Sequence, residues 1–589
     1  MTRSFVHQLP FGANLIAPDR ARFRLYAPAQ QRIHVEIDGR APAPMRRAGG
    51  GWFEAELQCA PGTRYLYILD DGSRVPDPAS RAQADDVQSW SVIVDPTAYN
   101  WQMPEWRGRL WHETVLYELH CGLLGGFRGV EAALPRLADL GITAIELMPL
   151  SDFSGQRNWG YDGVLPFAPD RSYGSTDDLK ALVDAAHALD LMIFLDVVYN
   201  HFGPEGNYIA RYAPTTFRDD VKTPWGPSID FRRPEVRRFF TENALYWLLE
   251  YRFDGLRLDA VHAITEADWL DEMSAEAHAR VDPNRQVHLV LEHEGNVASH
   301  LRDGFDAQWN DDLHNALHVL LTGETDGYYC DYAEAPASKL AKGLAEGFIY
   351  QGEPSRHRDG AKRGTPSADL APTSFVFFLQ NHDQIGNRAL GERLTALCPT
   401  DTLEAAIALQ ILAPQIPLIF MGEEDASPTP FFFFSDYTGD LADAVRKGRR
   451  QEFARFAAFS DPGLREQIPD PIAPSTFERS VPRPDDKRGP TRFALYKRLL
   501  SLRRSLIAPR LPGTRAVRAN AIGAAAVHAQ WRLGDGSDFT LLANLGADRA
   551  TVAPPGGRAV FEGRLGAADA AAKGHLPERT TVAFLDVVP

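Results

Sequence analysis

The sequence predicts an α/β protein built on a (β/α)8 barrel of the TIM-barrel class, flanked by an N-terminal β-sandwich and a C-terminal antiparallel β-domain. Three observations predict it. The chain has 589 residues, well beyond the roughly 250 to 300 at which a single hydrophobic core stops growing. Short alternating runs broken by Gly, Pro and Asp occupy both ends. Between them, apolar runs alternate with stretches of helical period, the signature of repeated βα units around a parallel sheet.

In chain order, residues 1–99 carry RFRLYAP, RIHVEID, WFEAEL and TRYLYILD, the pattern of a small antiparallel sandwich. The Pro- and Trp-rich PTAYNWQMPEWRGR then reads as a linker into the barrel, which is assigned to residues 100–516. Eight strand candidates follow: TVLYELHC at 114, AIELMPL at 144, LMIFLDVVY at 191, GLRLDAV at 255, VHLVLEHE at 287, DAQWND at 306, SFVFFLQNHD at 374 and IPLIFMGEE at 416. DAQWND is short and polar, equally compatible with a loop. Helix candidates between them include VEAALPRLADLG, STDDLKALVDAAHALD and EVRRFFTENALYWLLEY, the second opening on a Ser/Thr cap with acids in its first turn. Strand-like AVHAQWRL, DFTLLANL and TVAFLDV place a second β-domain at 517–589. The run FFFF at 431–434 suits a buried position.

Composition narrows the function. With 44% hydrophobic and 24% charged residues the chain is an ordinary globular protein. A formal charge of −16 argues against a nucleic-acid partner, which needs a basic face to displace counterions from phosphate, and favours a neutral substrate. The first twenty residues lack a secretory apolar run, and no segment approaches about 18 uninterrupted apolar residues. A cytoplasmic enzyme with no membrane partner is expected. Cys59, Cys121, Cys330 and Cys398 lie far apart without a CxxC pair, so free thiols are expected.

Five of the eight runs end in charged or amide residues: Asp196 with Asn200 and His201, Arg257 with Asp259, Glu292, Asp311 with Asp312, and Asn381 to Asp383. In a (β/α)8 barrel the active site is built at the C-terminal ends of the strands, although acids there also cap the following helices. Arg257 and Asp259 are two residues apart, so on a strand they share a face. A same-face Arg would keep Asp259 ionised, as a carboxylate nucleophile requires; a buried rim ion pair is the other reading. Glu292 follows an apolar run where burial would keep it protonated as a general acid. Helix capping is its alternative, and Glu294 competes for the role. Two carboxylates in unlike environments are what glycoside hydrolysis uses. Trp159, Tyr161, Tyr199 and Trp309 could stack on sugar rings or simply fill the core. His201, His262, His314 and His382 are scattered over different motifs without HExxH spacing, so no catalytic metal is expected.

These segments taken in order, DVVYNH at 196–201, GLRLDAVH at 255–262, Glu292 after its apolar strand and QNHD at 380–383, resemble the four short signatures of the α-amylase family of glycoside hydrolases. The resemblance implies Asp259 as nucleophile, Glu292 rather than Glu294 as general acid/base, Asp383 as transition-state stabiliser, and retention of anomeric configuration. It also implies sugar contacts from Arg257, His201 and His382, with Tyr161 and Asp162 at the floor of the cleavage site. Longer segments, including the module ending VPDPASRAQADDVQSWSVIVDP, then NWGYDGVLPFAP, QWNDDLHNALHVLLTGE, GFIYQG, QNHDQIGNRALGERL and EEDASPTPFFFFSD, resemble a branch of that family. Its members hydrolyse the α-1,4 bond beside the terminal trehalose of maltooligosyltrehalose. That likeness implies a carbohydrate-binding-like N-terminal module. Substrate contacts are implied from Arg257, Leu258, Asp259, Ala260, Val261 and His262, from Asp311, Asp312, Leu313, His314 and Asn315, and from His382, Asp383, Gln384, Ile385, Gly386 and Asn387. The residues after Glu292, in LEHEGN, depart from usual family wording and leave the local subsite contacts open. Family members that bind calcium use a long loop after the third strand; the stretch from Phe202 to Phe253 lacks an acidic calcium-loop pattern, so no cofactor or metal is expected. A monomer is expected. A glucan branching enzyme, sharing the barrel and the carboxylates, is the competing reading, and a non-catalytic sugar-binding protein a more distant one.

Overall fold

The computed structural model of the protein describes residues 4–223, 226–453 and 465–587. At its centre eight parallel strands close into a barrel in chain order. They are β1 (Leu116–Leu119), β2 (Ala144–Leu147), β3 (Met192–Val197), β4 (Gly255–Leu258), β5 (His288–Leu291), β6 (Ala307–Trp309), β7 (Phe375–Phe378) and β8 (Ile416–Phe420). All eight fall within the runs read from the sequence. The short β6 is a strand: it pairs with β5 through Val290–Ala307 and Leu291–Gln308, and with β7 through Gln308–Phe375 and Trp309–Val376. Ladder hydrogen bonds on both edges, and not its own hydrophobicity, hold it in place.

Alternation along each strand sorts the side chains. Leu116, Ala144, Met192, Phe194, Val290, Ala307, Trp309, Val376, Phe378, Ile416 and Leu418 pack together inside the barrel. Leu147, Ile193, Leu256, Leu289, Phe377 and Ile419 belong to the larger core outside it. Stepping two residues towards the C-terminal ends turns this inward filling polar, from Phe194 to Asp196, Val290 to Glu292 and Trp309 to Asp311, the layer where barrel enzymes place their chemistry. Helices cover the outside. The helix Thr176–Ala188 starts on the capping box visible in STDD: Ser175 Oγ accepts from the Asp178 N–H at 3.1 Å, and the Asp178 carboxylate accepts from the Ser175 N–H at 2.9 Å.

The N-terminal strands form two antiparallel sheets, one from Gly12–Ala17, Arg20–Tyr26, Trp52–Gln58 and Arg46–Gly49, the other centred on His34–Ile37 and Arg64–Ile68. Phe23 and Tyr65 meet edge to face across them at 5.0 Å. At the other end Arg515–Gly523, Ala526–Arg532, Asp538–Asn544, Thr580–Asp586 and Arg558–Glu562 build a five-stranded antiparallel sheet. The stretch read as a linker is laced to the barrel. The N–H groups of Gln102 and Met103 donate to Asp184 at 2.6 and 2.8 Å, and Trp106 Nε1 donates to Asp254 at 2.9 Å, just before β4. The four cysteines are free. Among the described residues, no helix is long and apolar enough to cross a membrane.

A buried ion pair joins the N-terminal module to the barrel. Arg81 Nη1 reaches both oxygens of Glu250 at 2.8 and 2.7 Å, while its Nη2 donates to the His7 carbonyl at 2.9 Å. Their side chains are 5% and 1% exposed. Removing one partner of such a pair strands the other charge in low dielectric, so Glu250→Ala should cost about 3–5 kcal/mol of stability. The check is the midpoint of chemical unfolding; an unchanged midpoint would show that the pair does not hold the module in place.

Candidate active site

A single guanidinium organises the C-terminal mouth of the barrel. Register pairs Asp196 on β3 with Arg257 on β4, and Arg257 Nη1 bonds Asp196 Oδ2 at 2.6 Å and Asp259 Oδ1 at 2.9 Å. Its Nη2 lies 2.9 Å from Glu292 Oε2. The guanidinium is fully buried and rests 4.0 Å over the Trp309 ring, a face whose quadrupole favours a cation. Asn200 Nδ2 donates to the Asp259 carbonyl at 2.8 Å and to its Oδ2 at 3.0 Å. Immediately after Asp259 the chain turns through Ala260 at φ +40°, in the left-handed region. That costly conformation for a residue with a Cβ points the Ala260 N–H at Glu292 Oε2, 2.8 Å away.

Asp383 enters from the other side of the mouth. It stands in the first turn of the short helix His382–Gly386, which Asn381 caps by accepting from the Gln384 N–H. Asn387 Nδ2 donates to Asp383 Oδ1 at 2.6 Å. The adjacent His382 is fixed from below by Glu118 of β1, which bonds its Nδ1 and its backbone N–H. The Tyr161 ring stacks on the His382 imidazole at 4.9 Å, and the Tyr161 hydroxyl donates to Asp196 Oδ2 at 2.7 Å. His201 Nε2 meets the Tyr161 carbonyl at 2.9 Å. Gly386 is required here: a Cβ on it would sit 2.0 Å from the Trp159 ring.

These groups open into a cleft of about 530 Å³. Of the residues anticipated from the sequence, Tyr161, Asp162, His201, Asp259, Ala260, His262, Glu292, Asp311, Asn315, His382, Asp383, Gln384 and Asn387 line it. The others do not. Arg257 lies beneath, and Leu258, Val261, Leu313 and Ile385 are buried in the hydrophobic core. Gly386 packs against Trp159. Asp312 is saturated, receiving Asn296 Nδ2 and the N–H groups of Ile349 and Tyr350 and pairing with Arg363 at 2.9 Å. His314 spends both nitrogens on the Leu379 carbonyl and the Tyr329 hydroxyl. Among the candidate stacking aromatics, Trp159 and Tyr161 line the cleft, whereas Tyr199 and Trp309 are buried. Of the FFFF run, Phe433 reaches the cleft and the other three are buried.

Much of the outer wall comes from residues that were not among those expected from the sequence. Ser355, His357, Arg358 and Arg363 come from the hairpin in QGEPSRHRDGAKRG, and Tyr328 and Asp331 from the segment before it. Arg358 pairs with Glu294 at 2.5 Å. The available signal was a long polar, Gly-bounded insertion between β6 and β7.

The carboxyl groups are pushed apart. Burial alone would raise Asp259, but the Arg257 guanidinium, His201, the Asn200 amide and a hydrogen bond from Glu292 hold it below the usual range. Burial drives Glu292 well above it, with Asp259, Asp383 and Asp311 adding to the rise against Arg257. Glu294 goes the other way: against some burial, Arg358 and His262 keep it low. Burial also lifts Asp383, and it pushes Asp311 up to about 7 against the pull of Arg363. One ionised and one protonated carboxyl on a common guanidinium can supply a nucleophile and a proton donor to the same bond. Among the described residues, no group of three or more His, Cys, Asp or Glu side chains is placed to hold a metal ion.

Comparison with known proteins bears on which bond that is. Residues 82–221 match the family model for the alpha amylase catalytic domain, and residues 514–583 match a domain of unknown function, DUF3459. The chain is 41% identical over 519 residues to the malto-oligosyltrehalose trehalohydrolase of Deinococcus radiodurans, covering 85% of this chain and 83% of that protein. A crystal structure from Salmonella typhimurium, provisionally described as an alpha amylase, superposes with a TM-score of 0.92 at 41% identity, covering 98% of this chain and all of that one. A 1,4-alpha-glucan branching enzyme of Photobacterium profundum is 32% identical over only 44% of this chain and 42% of its own length.

Proposed function

From the premise that this chain belongs to the malto-oligosyltrehalose trehalohydrolase family of alpha-amylase-type glycoside hydrolases, we propose that Asp259 and Glu292 cleave the α-1,4 bond beside the terminal trehalose of maltooligosyltrehalose. The observation that carries the reading is the shared Arg257 guanidinium, with Asp259 held ionised and Glu292 held protonated beside it. Asp259 attacks the anomeric carbon while Glu292 gives its proton to the glycosidic oxygen, and trehalose leaves. Glu292, now ionised, takes a proton from water, whose oxygen displaces Asp259 and returns both carboxyls to their starting state. Two inversions give net retention. Asp383, anchored by Asn387, is suited to hold sugar hydroxyls as the ring flattens, and the Tyr161–His382 pair forms the floor under the ring. Asp162, His201, His262, Asn315 and Gln384 offer polar groups along the same cleft.

Purified protein given maltotriosyltrehalose and, separately, maltopentaose tests this by chromatography of the products. Rapid release of trehalose from the first with slow attack on the second is expected. Longer or branched chains without free trehalose would instead make the enzyme a transferase, with a sugar hydroxyl in place of water at the second step.

A further inference from the structure

Beneath the reacting carboxyls lie buried polar atoms that the mechanism above does not use. Glu146 of β2 shares the inward face with Ala144 and stands in register with Glu118 of β1 and Phe194 of β3. It is 1% exposed, and neither of its carboxyl oxygens has a hydrogen-bond partner among the described residues. On the inward face of the barrel strands three more buried atoms share that condition: Asp196 Oδ1 on β3, Arg257 Nε on β4 and Trp309 Nε1 on β6. Five such atoms thus stand on inward-facing positions of four strands of one barrel. Two are N–H donors and three are oxygens, a complementary set. Buried polar groups in native proteins are almost always hydrogen-bonded, and where the protein supplies no partner ordered water does.

The charge state follows from the surroundings. Glu118, Asp196 and Arg257 are the charged groups around Glu146, from β1, β3 and β4; Tyr161 and His382 stand above, and β7 and β8 bring the apolar Phe378 and Leu418. One guanidinium already serves Asp196, Asp259 and Glu292. A further carboxylate with no direct donor would be an unpaired charge in low dielectric, which proteins avoid by leaving the group neutral.

We infer that Glu146 is a positioning residue: a neutral acid that, through water shared with Arg257 Nε and Trp309 Nε1, donates to Asp196 Oδ1 and fixes the Asp196–Arg257 pair from which Asp259 and Glu292 hang. Burial and the neighbouring Glu118 push its carboxyl well above the usual range, Arg257 opposing, in agreement with the neutral form. Asp196, lifted to about 6 by burial, keeps its charge partly through that donated hydrogen bond. Without it Asp196 takes up a proton, Arg257 serves Asp259 and Glu292 alone, and Glu292 ionises at lower pH.

The inference rests on the reading of Asp259 and Glu292 as the reacting pair, and two measurements separate the two. In Glu146→Leu the alkaline limb of kcat should move by about half to one pH unit towards acid, with kcat down about tenfold and KM little changed. Glu146→Gln keeps a neutral donor in place and should restore both the alkaline limb and kcat. A Gln variant that shifts as far as the Leu variant, or a Leu variant that shifts not at all, overturns the inference. Independently of any catalytic assignment and of whether the Leu variant folds, the infrared spectrum of wild type minus Glu146→Gln at neutral pH should show the carbonyl stretch of a protonated carboxylic acid. Carboxylate bands in its place would overturn it.

Discussion

Asp259→Ala should lower kcat on maltotriosyltrehalose by about 10⁴-fold or more, because it removes the carboxylate proposed as the nucleophile. The fold should survive: Asp259 lies at the mouth, and Arg257 keeps Asp196 and Glu292 as partners. The chemical signature matters more than the size of the loss. Given α-maltosyl fluoride and azide, the variant should form the β-azide, the small anion entering through the space the carboxylate occupied. Activity near that of wild type would remove Asp259 from the nucleophile's role.

Glu292→Gln should lower kcat on the trehalose-ended substrate by about 10³-fold yet cost little in the first step with α-maltosyl fluoride, whose leaving group needs no proton, so that turnover of the fluoride waits on water, which has lost its base. Azide should then intercept the glycosyl-enzyme and give the α-azide, opposite to the Asp259 variant. The pH dependence gives an independent reading. Asp259 acts ionised, so activity falls as pH drops through its lowered pKa. Glu292 acts protonated, so activity falls as pH rises through its raised one, and the two apparent values belong to the pair. The Gln variant should lose the alkaline limb from its residual rate on the trehalose-ended substrate. Glu294→Gln is the control: half exposed and paired with Arg358 and His262, it should change kcat by less than about threefold. If Glu294 proves the costlier of the two, the acid has been misassigned.

Much of the fold and of the site is legible in the sequence, and the reasons differ from element to element. Strand ends such as LDVV and GLRLD announce both their face and their charge, because alternation with period two puts Arg257 and Asp259 on one side. DAQWND carried no such pattern, since its place depends on the ladders of its neighbours. Arg257 is itself instructive: its proximity to Asp259 was readable, but burial beneath the cleft, holding three carboxyl groups at once, depends on the closure of β3, β4 and β5. The family resemblance implied substrate contacts from Asp312 and His314 along with Asp311, yet a helix beginning at Asp311 turns these two into the protein. The hairpin bearing His357, Arg358 and Arg363 reaches the cleft from far along the chain, through folding that no local period encodes.

The claim on which the rest depends is a double displacement by Asp259 and Glu292 at the bond beside trehalose. Proton NMR of maltotriosyltrehalose hydrolysis, recorded in the first minutes before mutarotation, tests it directly. Free trehalose should appear together with a new reducing end in the α configuration. A β reducing end would mean single displacement by water and would contradict the nucleophilic role of Asp259, and an α reducing end without trehalose would place the cleavage elsewhere along the chain.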